Sequence, residues 1–392
     1  MLRQQLHREA PLMKTLDSMH RVLLSSRSCT RGGCRRPVGT CLAAALLCSW
    51  ASAQSECLLA DITGDGIVNG SDLSHVLAAW GSNGQGKLST DLNNDGLVDG
   101  KDLGLLLAAW GTSLAVPAWA TLIELCPDPT VVTNLELRRA IIDTGLAWRV
   151  RDTMTQVELV LVPPGSFSMG CVPSDESGCL DDEIPVHVVM LANPCYLGRY
   201  EVTQAQWLAR IGSNPSVFQG FADSPLRPVE RVSWMMLQAF FDSTGDPKAP
   251  PGLRLPTEAE WEFGYRAGTI TAYHGTPDTP EGIDAEAQVG DIAWYLDNAG
   301  HATHPVGSKR ANGLGIHDMS GNVWEWVNDR YDFDYYVDSP IVDPSGPTNG
   351  LWVVQRGGGF KSSAASCRAS QRTFDDPANQ TAKIGFRVAR TP

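Results

Sequence analysis

The feature that most constrains this chain is an internal repeat with a period of 30 residues. Residues 61–81 read DITGDGIVNGSDLSHVLAAWG, and residues 91–111 read DLNNDGLVDGKDLGLLLAAWG. Asp61 recurs as Asp91, and Trp80 recurs as Trp110. A repeat of this kind indicates two copies of one small structural unit, so the segment is predicted to fold as a duplicated module.

Each copy places oxygen-bearing side chains at loop positions 1, 3, 5, 9 and 12, a glycine at position 6, and a backbone carbonyl at position 7. Calcium takes roughly six to eight oxygen ligands in a flexible arrangement, and this spacing supplies them. The residues that we expect to bind calcium are Asp61, Thr63, Asp65, Ile67, Asn69 and Asp72 in the first loop and Asp91, Asn93, Asp95, Leu97, Asp99 and Asp102 in the second.

Apolar residues follow each loop at helical spacing. They are Leu73, Val76, Leu77 and Trp80 in the first copy and Leu103, Leu106, Leu107 and Trp110 in the second. Residues 54–112 therefore resemble a type I dockerin, which is a small all-α module built from EF-hand-like calcium loops. The resemblance implies a cohesin-like protein partner, and the alternative is a structural calcium clip without a partner.

Residues 1–53 are predicted to be a signal peptide. Arg31, Arg35 and Arg36 precede a short apolar stretch at 38–50, which is followed by the small residues 51–53. A basic region, an apolar core and an A-x-A site are typical of secretory signals, and a buried helix is the alternative. The sequence contains no apolar run long enough for a membrane span. The protein is therefore expected to be secreted or periplasmic after cleavage.

Charge is divided unevenly along the chain. The formal net charge of −13 combines +6 in residues 1–53 with −19 in the remainder. A chain that is this acidic repels phosphate backbones, which argues against a nucleic-acid partner and suits multivalent cations.

Six cysteines remain after the predicted cleavage, namely Cys57, Cys126, Cys171, Cys179, Cys195 and Cys367. An even number in an oxidising compartment is typical of disulfides, and sequence alone leaves the pairing open. Cys171 and Cys179 lie eight residues apart, so a local bridge is expected there. The cysteine spacings do not match a zinc site.

Composition predicts a loop-rich α+β fold for the rest of the chain, because the sequence holds 38 glycines, 25 prolines and 12 tryptophans. Strands are predicted at 157–162 and 185–191. Helices are predicted at 135–144, 204–211 and 234–242 and after residue 257, capped by Asn134, Thr203, Ser233 and Thr257. Residues 113–127 are interpreted as a linker.

Seven strings occur in order across residues 128–392: VPPGSFSMG, GRYEVTQAQW, RPVERVSW, LRLPTEAEWEFGYRAG, NGLGIHDMSGNVWEWVND, RGGGF and GFRVAR. This segment resembles the formylglycine-generating-enzyme, or sulfatase-modifying-factor, superfamily. The resemblance implies a loop-rich fold related to C-type lectins. It also implies an oxidase that converts a cysteine of a sulfatase to formylglycine with molecular oxygen.

In that family, copper(I) is held by two cysteines that lie five residues apart after the RGG motif. The second position falls on Cys367 and the first on Ser362. Copper(I) prefers soft thiolates, and a serine hydroxyl is hard and stays protonated near neutral pH. The departure at Ser362 argues against copper and against the oxidase reaction. Cys367 is then interpreted as a disulfide half-cystine or a packed thiol.

The string DMSGNVWEW wraps a structural calcium ion in the family. Carried over, Asp318 and Glu325 are the expected carboxylate ligands, and Gly321 and Val323 supply backbone carbonyls. The alternative is that the two carboxylates brace the turn without a metal.

Two functions follow from this sequence. The favoured one is a binding or scaffold protein that holds a peptide or glycan and attaches through the calcium loops to a cohesin-like or cell-surface protein. The alternative is an active formylglycine-generating oxidase that acts on an exported protein, with Cys367 as the surviving catalytic thiol. Three arginines, Arg368, Arg372 and Arg387, serve an anionic substrate in one interpretation and pair with carboxylates in the favoured one.

Overall fold

The computed structural model describes residues 60–63, 66–84, 89–171, 178–241 and 252–392. The expected signal peptide, Cys57 and the expected ligand Asp65 lie outside these residues. Within the described ranges, no helix is both long enough and apolar enough to cross a membrane.

The duplicated segment forms two short helices, α1 (Gly70–Ala78) and α2 (Gly100–Ala108). Asn69 and Asp99 cap the two helices, and each cap forms a reciprocal capping box with the aspartate three residues further on. Val76 and Leu106, which occupy the same position in the two copies, are both fully buried. The small core of this module consists of Ala60, Ile62, Val68, Val76, Leu92, Val98 and Leu106.

The helices of the larger domain begin where their caps predict. They are α3 (Leu135–Asp143), α4 (Gln204–Ile211), α5 (Trp234–Phe241), α6 (Glu258–Arg266) and the short α7 (Tyr335–Asp338). Asn134, Thr203 and Thr257 each accept a hydrogen bond from the first turn of the helix that follows, as does the Ser233 hydroxyl from the amide of Met236 at 3.2 Å. These caps satisfy amide groups that a helix start otherwise leaves unpaired.

The domain contains two larger sheets. One contains β1 (Ala120–Glu124), β2 (Arg149–Asp152), β3 (Glu158–Val162), β6 (Cys195–Gly198) and β13 (Ala389–Arg390), in the order β1-β2-β3-β6-β13. The other contains β9 (Trp324–Arg330), β10 (Val353–Arg356), β11 (Arg372–Asp375) and β12 (Ile384–Phe386), in the order β11-β10-β9-β12.

Two smaller sheets complete the domain. β4 (Gly165–Met169) pairs with β5 (His187–Leu191), and β7 (Ala293–Trp294) pairs with β8 (Ser320–Gly321). Short 3-10 turns cover Asp181–Glu183, Ser224–Leu226, Glu286–Asp291 and Ala364–Cys367. Helices and sheets therefore share one mixed α/β domain with long connecting loops.

Residues 113–127 differ from the expected linker, because Ala120–Glu124 form the edge strand β1. This strand pairs antiparallel with β2, with Ala120 opposite Asp152. Trp119 packs edge-on against Tyr196 at 5.5 Å between ring centroids. Strand formation here depends on a partner that is distant in sequence, which local patterns do not reveal.

The main core lies between the sheets and the helices and is rich in aromatic side chains. Trp148, Trp207, Trp261 and Trp326 are all almost completely buried in it. The Trp326 indole donates to the carbonyl of Val232 at 2.9 Å, so its polar edge is satisfied. Burial of these rings confirms the aromatic packing that composition predicts.

Candidate functional site

The position of the expected thiol is set by a glycine turn after β10. Gly357 and Gly358 have positive φ angles of 94° and 75°, and the chain then returns through the 3-10 turn that ends at Cys367. A Cβ atom on Gly358 would lie only 2.6 Å from the Cys367 Sγ atom. Only glycine fits here, because the backbone itself closes over the sulfur.

Cys367 is completely buried and has no disulfide partner. It belongs to a small apolar cluster with Ala272, Tyr273, Ile283, Val289, Ile292, Ala293 and Ala364. The Cys367 carbonyl accepts hydrogen bonds from the Tyr265 hydroxyl at 2.8 Å and the Ser320 hydroxyl at 3.2 Å. Burial raises the pKa of the Cys367 thiol to about 12, so the sulfur stays protonated at neutral pH.

Ser362, at the first of the two copper positions, hydrogen-bonds within the turn rather than to the thiol of Cys367. Its hydroxyl accepts a hydrogen bond from the amide of Gly359 at 3.0 Å. Its carbonyl accepts one from the amide of Leu296 at 2.9 Å. The structure therefore offers one sulfur and one hydroxyl, and this donor set does not fit a copper(I) site with two soft sulfur ligands.

The cysteines only partly follow the expectation of disulfides. Cys171 and Cys179 are bridged, as the sequence predicts, and Cys126 is also in a disulfide. Cys195 and Cys367 are both buried and unbridged, so the even count does not translate into full pairing. For Cys367, the packed-thiol interpretation is the one that matches the structure.

The three arginines pair with buried carboxylates. Arg368 makes two hydrogen bonds to Glu183 at 2.7 and 2.8 Å. Arg372 binds Glu258 in the same two-pronged way, at 2.9 and 2.8 Å. These pairs confirm the interpretation that the arginines balance internal charge, and geometry of this kind is typical of strong charged pairs.

The carboxylates of the DMSGNVWEW turn, two of the expected calcium ligands, are hydrogen-bonded within the protein. Arg387 donates to both oxygens of Glu325 at 2.7 and 2.6 Å, and the Trp261 indole donates to one of them at 2.7 Å. Asp318 instead accepts from the amide of Gly307 at 2.6 Å. Both oxygens of Glu325 are thus engaged within the protein.

A third buried carboxylate, Glu201, lies beside this turn and was not expected from the sequence. It accepts hydrogen bonds from the Asn322 side chain at 2.6 Å and the Val323 amide at 3.1 Å. Burial and the neighbouring carboxylates Asp318 and Glu325 raise the pKa of Glu201 well above its usual value. The sequence signal for burial of Glu201 is its position between Tyr200 and Val202 in the string GRYEVTQ.

The described residues of the two repeated loops share the same hydrogen-bonding pattern. In each, the glycine at position 6 has a φ of 87°, and its amide donates to the carboxylate at position 1, at 2.7 Å to Asp61 and at 2.8 Å to Asp91. Asp72 and Asp102, at position 12, accept amides of their own loops. In each loop, the first carboxylate therefore accepts an amide of the loop, and the last carboxylate lies in the first turn of the following helix.

Two further observations bear on the loops as metal sites. In the second loop, Asp95 also pairs with the ammonium group of Lys101 at 2.6 Å, an exposed contact. Among the residues that the structure describes, no group of three or more His, Cys, Asp or Glu side chains is arranged to hold a metal ion. The oxygen donors fit the hard character of calcium, and binding would require them to converge further.

Fold and turn together define a mixed α/β domain in which an Arg-Gly-Gly turn covers a single thiol. Residues 130–392 match the family described as the sulfatase-modifying factor enzyme 1-like domain, and the chain belongs to this family.

Two relatives align with this chain over nearly their whole length. The chain is 33% identical to a formylglycine-generating enzyme of Streptomyces coelicolor, over 63% of this chain and 92% of the relative. It is 30% identical to the chaperone protein LppX of Paenibacillus barcinonensis, over 61% and 91%. Relatives in this range carry different activities in their names, so membership alone does not set the activity.

Solved structures agree with the fold. Treponema denticola variable protein 1 aligns with a TM-score of 0.53 and 29% identity, over 61% of this chain and 98% of that one. PvdO of Pseudomonas aeruginosa aligns with a TM-score of 0.53 and 26% identity, over 62% and 98%. The mixed α/β domain therefore has structural counterparts within the family.

Proposed function

We propose that this protein is a non-oxidising, exported member of the family that binds a peptide or glycan and carries calcium in its two repeated loops. The observation that supports the loss of oxidation is the single, sealed thiol of Cys367. Its partner position is Ser362, whose hydroxyl closes a turn with Gly359.

Copper chemistry at this site would need two thiolates that reach the ion. Cys367 is fully buried, and its thiol has a pKa of about 12. Burial opposes the charged thiolate form of this sulfur. A hydroxyl at residue 362 would add no soft ligand. Both features favour a binding role over the oxidase.

The oxidase alternative has a direct test. The full chain is incubated with copper(I), oxygen and a peptide containing a CxPxR motif, and aldehyde formation is read by mass spectrometry. We expect no conversion by the native protein. The Ser362→Cys variant serves as the comparison, and we expect it to bind copper(I) more tightly than the native chain. Conversion of the peptide by the native protein would overturn the proposal.

The calcium proposal is developed for the two repeated loops, and the ligand set of Asp318, Gly321, Val323 and Glu325 at the DMSGNVWEW turn stays a prediction. Each loop has a carboxylate at position 1 and a carboxylate at position 12, and these carboxylates make matching hydrogen bonds in the two copies. Their side chains are hard oxygen donors, which suit calcium rather than a transition metal.

The calcium proposal is tested by calorimetry and thermal unfolding of the full chain. We expect two ions to bind and the melting temperature to rise, because a ligand that binds only the native state stabilises it. Asp61→Ala and Asp91→Ala, which change the same position in the two loops, should each remove one ion. Absence of both heat and a melting shift in the native chain would refute calcium binding.

Attachment and export are proposed from the sequence. A dockerin-like pair would join the protein to a cohesin-like or cell-surface partner, and the N-terminal signal would place that partner outside the cytoplasm. Pull-down of the secreted protein with a cohesin, with and without a calcium chelator, tests the partner. Secretion of a fusion that carries residues 1–53 tests the signal.

A further inference from the structure

Loop 1 (residues 61–72) and loop 2 (residues 91–102) match in their described hydrogen bonds but pair with different parts of the chain. Loop 2 pairs with the segment after α1, since Val98 exchanges backbone hydrogen bonds with Gly81 and Ser82 at 2.9 and 2.8 Å. Loop 1 pairs with the segment after α2, since Val68 does the same with Gly111 and Thr112 at 2.9 and 3.0 Å. The segment after α1 stays within the module, whereas the segment after α2 continues into the larger domain.

The pairing of loop 1 extends further along the segment that enters the domain. Ile67 forms a β-bridge with Ser113, and the amide of Leu114 donates to the carbonyl of Gly66 at 3.4 Å. These two loop residues occupy positions 6 and 7, and the carbonyl of Ile67 is the expected backbone ligand. The backbone of the calcium loop is therefore joined directly to the connecting segment.

The connecting segment is in turn bound to the domain. The amide of Ala115 donates to the carbonyl of Gly145 at 2.8 Å, and the amide of Ala147 donates to the carbonyl of Ala115 at 2.9 Å. Gly66 also faces the domain, because a Cβ atom placed on it would lie 3.3 Å from a methyl carbon of Leu125. A continuous path of backbone contacts thus leads from loop 1 to the edge of the main core.

We propose that loop 1 is a calcium-dependent latch that fixes the repeated module against the larger domain, while loop 2 acts within the module. This inference rests on the proposed calcium binding. An ion held at positions 1 to 12 would restrain Gly66 and Ile67, and through them the segment that contains Ser113, Leu114 and Ala115. Opening of that segment would then require release of the ion, so calcium would slow its opening.

The test is hydrogen exchange of the full chain, followed at the amides of Ala115 and Ala147, with and without calcium. At a calcium concentration about 100 times its dissociation constant, exchange that requires release of the ion should slow by about 100-fold. We expect this protection in the native chain and in Asp91→Ala. We expect it to be lost in Asp61→Ala, the same substitution in loop 1.

A second variant separates the latch from ion binding. Ala115→Pro removes the amide that donates to Gly145 and leaves the expected calcium ligands in place. This variant should still bind two ions by calorimetry and show no calcium protection at Ala147. Calcium protection of Ala147 in Ala115→Pro, or its equal loss in Asp61→Ala and Asp91→Ala, would overturn the latch.

The two proposals fail in different ways. If the native chain takes up no calcium in calorimetry, the calcium proposal fails, and the latch fails with it. If two ions bind but exchange at Ala115 and Ala147 is unchanged, calcium binding stands and the latch alone is overturned.

Discussion

Cys367 shows how its surroundings set the chemistry of a single side chain. It lies under the Gly358 backbone in an apolar cluster, and burial holds the pKa of its thiol near 12. We predict that iodoacetamide at pH 8 does not modify Cys367 in the native protein and does so readily in denaturant, because the thiolate is the nucleophile. Peptide mass spectrometry measures both states. Equal rates of modification in the two states would contradict the sealed site.

Glu230 is a second residue whose environment sets its charge. It is fully buried, accepts the amide of Phe218 at 2.9 Å, and has a pKa raised by burial to about 7. The folded state therefore binds its proton more tightly than the unfolded state does. The stability that this provides is full below about pH 4.5 and is lost as the pH rises through 7.

The prediction for Glu230→Gln follows from this loss of stability with rising pH. At pH 8 the variant should be more stable than the native protein by up to about 3 kcal/mol, because it avoids burying a charge and keeps an acceptor oxygen. At pH 5 the gain should shrink. Urea unfolding across this range is the measurement, with the exposed Glu281→Gln as control. A gain of equal size at both pH values would argue against this assignment.

Helix α6 illustrates stability at the scale of one element. The Thr257 hydroxyl accepts a hydrogen bond from the amide of Glu260 at 3.1 Å, and the Glu260 carboxylate accepts one from the amide of Thr257 at 2.9 Å. Thr257→Ala should lower the free energy of unfolding by about 1 kcal/mol, as is usual for loss of a cap. Thr257→Ser, which keeps the hydroxyl, should lose much less in the same denaturation experiment. Identical losses in both variants would show that the hydroxyl is not what matters.

Helices were predictable here and several strands were not. The starts of α3, α4 and α6 follow from Asn134, Thr203 and Thr257, because capping is decided within a few residues of the chain. Strand β1 is decided by its pairing with β2, roughly thirty residues away. Local sequence contains the information that caps a helix and lacks the information that pairs distant strands.

At the scale of the molecule, buried ion pairs join segments that are distant in sequence. Arg368 and Glu183 are both almost completely buried and link the C-terminal region to the turn at Asp181–Glu183. Arg368→Met should destabilise the protein by about 3–5 kcal/mol, because it removes the guanidinium that pairs with the buried carboxylate of Glu183. The double variant Arg368→Met/Glu183→Gln should recover part of this loss in thermal unfolding. If the double variant were no more stable than Arg368→Met, the packing of the Arg368 side chain, and not its charge, would account for the loss of stability.

The candidate site was predictable to the extent that its residues stand in recognisable strings. Ser362 and Cys367 follow from their distance to Arg356, and the repeat reveals the loops. The sealing of Cys367 and the position of Glu201 depend on the packing of distant segments. Calcium binding by Glu325 stays a prediction from the sequence, and the contact of both its oxygens with Arg387 is set by the fold.

The edge strand Ala120–Glu124 has a practical consequence for anyone who produces the large domain alone. The family match begins at residue 130, so a fragment designed on that boundary would lack β1. Its loss would uncover the backbone of Arg149–Asp152, and an uncovered strand is a template for pairing with other molecules. Such a fragment is expected to self-associate, and the N-terminal boundary for expression should therefore lie before Trp119.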